Sequence, residues 1–126
     1  MSTGREARHR EIVERFEKVA RANLETTAGV AVLCRAAGVT SRTLTQAFRA
    51  TRGTTPLQYL HDLRLTEARH SLLSGYSDAK SVTEVATRFG FRELGRFAGE
   101  YRERLGETPS QTLRRTARTY PAEPAG

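Results

Sequence analysis

The chain has 126 residues, a formal net charge of +7, a sequence pI near 10.5 and a single cysteine, Cys34. That is room for one ordinary domain or two very small ones sharing a core; one cysteine excludes an internal disulfide framework or a thiolate zinc cluster, and no apolar run nears the ~18–20 residues that span a bilayer. Met1 to Arg10 carries charge with no apolar stretch behind it, unlike a secretory signal, so a reducing, cytoplasmic setting is the expectation. In chain order, Ile12, Val13, Phe16, Val19, Ala20 and Leu24 recur at three- and four-residue spacing and predict an amphipathic helix over about 7–24. Thr26, Thr27 and Gly29 break it. A short apolar helix, Val30 to Ala37, is stopped by Gly38. Thr40 or Ser41 caps a helix over about 41–52, with Leu44, Ala47 and Phe48 inward and Gly53 at its end.

Thr54-Thr55-Pro56 reads as a cap followed by proline at the first helical position. The helix it opens, about 56–74, carries Leu57, Leu60, Leu65, Ala68 and Leu72 at helical spacing. Gly75-Tyr76-Ser77-Asp78 predicts a loop. Ser81 with Glu84 three residues on resembles a capping box for a helix over 82–89, stopped by Gly90. A helix over about 93–105 ends at Gly106, and Thr108-Pro109 starts a last one to about 117; Pro121 and Pro124 mark a frayed tail. No stretch alternates with period two, so no strand is predicted. The expectation is an all-α fold of about seven helices.

These helices repeat. At a shift of 52, Val30 meets Val82, Leu33 meets Val85, Cys34 meets Ala86 and Gly38 meets Gly90. After the turn the shift becomes 53: Leu44 meets Phe97, Phe48 meets Tyr101, Arg49 meets Arg102, Gly53 meets Gly106, and Thr55-Pro56 meets Thr108-Pro109. Each copy is a short helix, a glycine-centred turn and a second helix, the helix-turn-helix pattern whose second helix enters the DNA major groove. The expected organisation is a first subdomain over 7–55, a linker helix over 56–74, a second subdomain over 75–117 and a disordered tail over 118–126. A 19-residue linker would span about 28 Å, approaching the ~34 Å between successive major-groove faces on one side of B-DNA.

Charge divides unevenly between the copies. Nineteen of the 21 basic residues are arginine, the side chain that forms bidentate bonds to phosphate and guanine. Residues 26–61 hold Arg35, Arg42, Arg49 and Arg52 and no acid, whereas 82–109 hold five arginines against five glutamates. A basic domain of this kind suggests a polyanionic partner.

Two such units joined by a long helix resemble the DNA-binding domain of the AraC/XylS-type transcription regulators. The matching residues are Leu44, Phe48-Arg49, Gly53-Thr54-Thr55-Pro56 and Tyr59-Leu60 in the first half. Arg64-Leu65, Ala68-Arg69 and Leu72 match in the linker. Val82, Val85-Ala86, Phe89-Gly90-Phe91, Phe97, Tyr101-Arg102, Gly106 and Thr108-Pro109-Ser110 match in the second half. The resemblance spans about residues 9–115; Thr112-Leu113 departs from it, where the family commonly has Tyr-Arg. It implies sequence-specific promoter binding, most often for activation, with RNA polymerase as a partner.

Within helix 41–52, Arg42, Thr45, Gln46 and Arg49 share the face away from Leu44 and Phe48. Arg42, Thr45 and Gln46 are the expected base readers, since arginine suits guanine and glutamine suits adenine, and Arg49 is a phosphate contact. In the second unit the equivalent face holds Gly95, Ala98, Gly99 and Arg102. Arg96 is then the candidate base reader, with Arg92 and Arg102 as phosphate contacts. Thr55 and Thr108 stand at helix starts that could bind phosphate, though capping is their commoner role. Arg64 and Arg69 are weaker phosphate candidates, equally suited to pairing with Glu67 or Asp62.

Enzyme readings find little support. His9, His61 and His70 are scattered, Cys34 aligns with Ala86 as a small core residue, and no phosphate-binding glycine loop occurs. No cofactor or metal, no membrane association and no small-molecule site are expected. Double-stranded DNA is the expected partner; a helical protein-interaction module or decoy regulator is the alternative. Only Met1 to Glu6 precede the first helix, so no sensor domain is expected within these residues: either a stand-alone small member or the isolated domain of a longer regulator.

Overall fold

The computed structural model describes residues 3–74 and 81–119, with side chains as far as Arg115. Among these residues are seven helices and no strand: α1 (Gly4–Arg21), α2 (Val30–Ala37), α3 (Ser41–Arg52), α4 (Pro56–Ser74), α5 (Val82–Arg88), α6 (Leu94–Leu105) and α7 (Pro109–Thr119). The predicted all-α architecture is the observed one, and α2, α3 and α4 have the predicted bounds. Helix α1 starts and stops three residues early. The Thr3 hydroxyl accepts from the Glu6 N–H at 3.1 Å and so caps it at Thr3, and its last turn closes at Ala22. Helix α5 is one residue shorter than predicted, α6 begins one residue later, and α7 runs on through residues 118 and 119, which were assigned to the tail. The Gly75–Asp78 loop, Pro121 and Pro124 lie outside the described residues.

The chain divides into two compact units within α4. One holds the residues up to Leu24 and Ala28–His61; the other holds Glu25–Thr27 and the residues from Asp62 on. In the first, α1 contributes Ile12, Val13, Phe16 and Ala20, α2 contributes Leu33, Cys34 and Ala37, and α3 contributes Leu44, Ala47 and Phe48, all buried. The Phe16 and Phe48 rings meet edge-on with centroids 5.6 Å apart, and Tyr59 lies 5.2 Å from Phe48. Burying each such side chain contributes about 1.5–3 kcal/mol. In the second unit Leu65, Ala68, Leu72, Val85, Ala86, Phe89, Phe97 and Tyr101 form the core, with Phe97 between Phe91 at 4.6 Å and Tyr101 at 5.7 Å.

Both helix-turn-helix turns need glycine. Gly38 has φ 71° and Gly90 φ 84°, the left-handed region. At Gly90 a Cβ would also fall 2.7 Å from the Thr26 carbonyl oxygen, a backbone atom that cannot yield.

Helical spacing does not make one buried face of α4. Leu57 is 67% exposed, and the buried face changes along the helix. Pro56 and Leu60 are buried in its first half, Leu65, Ala68 and Leu72 in its second, and Leu57 lies about 100° round from Pro56. In α7, Leu113 is half-buried and its neighbour Thr112 is fully enclosed. The Thr112 hydroxyl lies 2.7 Å from the Tyr101 hydroxyl and donates to Glu107, which also accepts from Arg115 at 2.7 Å. The departure from the family pattern is thus a buried polar contact holding α7 to α6.

Candidate nucleic-acid interface

Helix α3 forms because Thr40 caps it, its hydroxyl accepting from the Thr43 N–H at 3.1 Å, and because Leu44, Ala47 and Phe48 are enclosed on one side. Positions 42, 45, 46 and 49 then fall within an arc of about 100° on the opposite side. Arg42, Gln46 and Arg49 are exposed, and among the described residues none has a carboxylate partner. Thr45 is half-buried and its hydroxyl donates to the Ser41 carbonyl at 2.8 Å, so it can still accept a bond from outside. The fold therefore brings the four predicted residues of the first unit onto one free, cationic face.

Arg52, on the same acid-free stretch, behaves differently. It pairs with Glu17 of α1, and its guanidinium sits 5.9 Å from the Tyr59 ring centroid. Glu17 also accepts from the Tyr59 hydroxyl at 3.0 Å. Burial and the adjacent Glu17 carboxylate raise the Tyr59 pKa, keeping it a neutral donor. Sequence reasoning missed Glu17. The signal available was Arg52 itself, a cation in a stretch holding no counter-ion.

The second unit presents less. Helix α6 starts at Glu93 without a side-chain cap and buries Phe97 and Tyr101. Gly95 and Gly99 stand on the face matching the cationic face of α3; a Cβ at either would meet nothing within 4 Å. Arg96 is 75% exposed and pairs with Glu100 one turn on, at 3.3 Å. Arg92 and Arg102 are exposed. Arg104 is held by Asp62 at 2.9 Å; Arg64 and Arg69 are half-buried. Burial lowers the Arg64 pKa.

Thr55 and Thr108 are both caps. Their hydroxyl oxygens accept from the Gln58 and Gln111 N–H groups at 3.1 Å, and the Gln111 side chain returns to the Thr108 N–H at 2.8 Å, a reciprocal capping box. Cys34 is buried and free, its sulfur 3.9 Å from the Ser41 hydroxyl. Among the described residues no group of three or more His, Cys, Asp or Glu is placed to hold a metal ion, and no helix is long and apolar enough to cross a membrane.

A family model described as a helix-turn-helix domain matches residues 33–115. A crystal structure of a probable AraC family transcriptional regulator from Rhodopseudomonas palustris superposes with a TM-score of 0.74 at 34% identity, covering 84% of this chain and 97% of that one. The chain belongs to the AraC/XylS family. Its AraC-type fold also matches the DNA-binding domain of AdpA, a global transcriptional factor solved with a target DNA, at TM-score 0.71 and 28% identity over 89% of this chain and 97% of that one. Among curated relatives, a probable thc operon regulatory protein of Rhodococcus erythropolis is 44% identical over 85 residues, 68% of this chain. The chain spans 26% of that protein's length.

Proposed function

We propose that this AraC/XylS chain is the double-stranded-DNA-reading part of a transcription regulator, acting at promoters where RNA polymerase is its partner. The observation that carries this is the face of α3: Arg42, Gln46 and Arg49 exposed and without acid partners, directly behind a fully buried Leu44–Phe48 ridge. Arg42, Thr45 and Gln46 read base edges and Arg49 holds phosphate. In the second unit Arg96 reaches a base only by leaving Glu100, an exposed pair worth about 0.3–0.5 kcal/mol. Arg92 and Arg102 hold phosphates, so α6 docks with relaxed specificity. Thr55 and Thr108 use their lone pairs in capping and keep their O–H protons for phosphate. The likeness to AdpA, whose DNA-binding domain was solved with a target DNA, supports DNA as the partner.

Selection of bound duplexes from random DNA at moderate salt tests the reading, and an enriched motif is the expected outcome. Arg42→Ala then lowers discrimination at one base position by about 1–3 kcal/mol. Arg49→Ala weakens all sequences alike and reduces the salt slope by about 1. Enrichment of no motif, or binding insensitive to salt, refutes it.

A further inference from the structure

Helix α1 lies outside the segment matched by the family model, yet two of its side chains hold the first helix-turn-helix, one beside its turn and one at the end of α3. The Arg15 guanidinium donates to the Ala37 carbonyl at 2.7 Å, satisfying the end of α2 immediately before the turn. At that turn a Cβ on Gly38 would fall 2.9 Å from the same guanidinium nitrogen. Two residues further along α1, Glu17 accepts from Arg52, the last residue of α3, and from Tyr59 in the first turns of α4. Between them Phe16 packs edge-on against Phe48 of α3.

We propose that Arg15 and Glu17 are positioning residues for DNA reading: they set the pitch of α3, and hence where Arg42 and Gln46 meet base edges, without reading bases themselves. This rests on α3 being the reader. The geometry is over-determined for mere cohesion. Leu44, Ala47 and Phe48 already bury α3 completely on its inner side, but a ridge of apolar contacts permits small rocking, whereas charge-assisted bonds before the turn that leads into α3 and at its last residue have defined lengths and directions. Glu17 has a second effect. A carboxylate repels phosphate, so by holding Arg52 it keeps a cation at the end of α3 from contributing sequence-independent affinity.

Stability and positioning separate in one experiment. Wild type, Glu17→Gln, Tyr59→Phe and Arg15→Met are titrated against the selected duplex and a scrambled duplex at several salt concentrations. The temperature is one at which circular dichroism shows each variant folded. For Glu17→Gln the specific-to-scrambled ratio falls about fivefold, the scale of a bidentate base contact moved out of line. Affinity for scrambled DNA holds or rises as Arg52 is released. Tyr59→Phe, which keeps the ion pair, shows a smaller fall in the same direction and decides the matter if Glu17→Gln fails to fold. Arg15→Met lowers the ratio with an unchanged salt slope. An unchanged ratio, or specific and scrambled affinities falling in step, overturns the proposal; so does a slope reduced by about 1 for Arg15→Met, which would make Arg15 a phosphate contact. A wild-type chain that shows no discrimination overturns the DNA reading itself, a result distinct from all of these.

Discussion

Gly95 and Gly99 supply the sharpest test of how the second unit meets DNA. Both lie inside the 12-residue helix α6, both are exposed, and neither has positive φ. Glycine in a helix interior costs about 0.8–1 kcal/mol relative to alanine. A Cβ at either site would meet nothing within 4 Å, so no contact in the fold offsets that cost. Gly99→Ala should therefore stabilise the chain by about 0.8–1 kcal/mol and Gly95→Ala, in the first turn, by less, since each substituted methyl faces open space. For a chain of this size the double variant should melt at least roughly 3 °C higher, followed by circular dichroism. If the glycines let phosphate or sugar approach the α6 backbone, DNA affinity should fall severalfold while the melting temperature rises. A melting temperature that stays level or drops refutes the accounting of helix cost. A raised melting temperature with undiminished DNA affinity refutes close approach and leaves Arg92, Arg96 and Arg102 to dock the second unit.

Three further outcomes follow from the packing. Thr112→Val leaves the buried Tyr101 hydroxyl without its partner and should cost about 1–3 kcal/mol. The double variant Tyr101→Phe with Thr112→Val should recover part of that loss in denaturant melts, where additive losses would contradict the paired reading. Gly38→Ala should destabilise by more than about 1 kcal/mol, because φ is 71° and the Arg15 guanidinium must also move; an unchanged urea midpoint counts against both causes. Glu107 has its pKa lowered first by the Arg115 hydrogen bond and then by that of Thr112. Its contribution is therefore full above its ordinary value near 4.5 and is lost as pH falls through the lower folded value, so melting temperature should drop on acidification and Glu107→Gln should flatten that limb.

What the residues revealed in advance was whatever is encoded locally. Gly38 and Gly90 marked their turns because only glycine takes that backbone region cheaply, and Thr55-Pro56 and Thr108-Pro109 marked helix starts because cap and ring geometry act within one turn. The four-residue face of α3 followed from helical period alone. What stayed hidden depends on partners far apart in sequence. Leu57 shares helical spacing with the buried residues of α4, while the exchange of faces along that helix is set by two different cores. Glu17 and Arg52 are separated by 35 residues, and nothing local to either announces the pair.

The repeat allows a stronger argument, because the two copies solve one packing problem in different ways. At the end of the reading helix the first copy has Phe48, and the equivalent position in the following helix is Tyr59; the second copy has Tyr101 and Thr112. A phenol is present in both but on opposite partners. Where the inner aromatic lacks it, Tyr59 carries it outward to Glu17; where Tyr101 has it, the facing residue shrinks to a threonine that accepts it inside. Each copy thus ties the end of its reading helix to a carboxylate, Glu17 in one and Glu107 in the other. The first carboxylate holds a cation of its own reading helix, Arg52, whereas the second pairs with Arg115 of α7. The copies thus differ in where the carboxylate acts: the first fixes the end of α3 behind a cationic face, whereas the second fixes its last helix, with glycine on the corresponding face of α6.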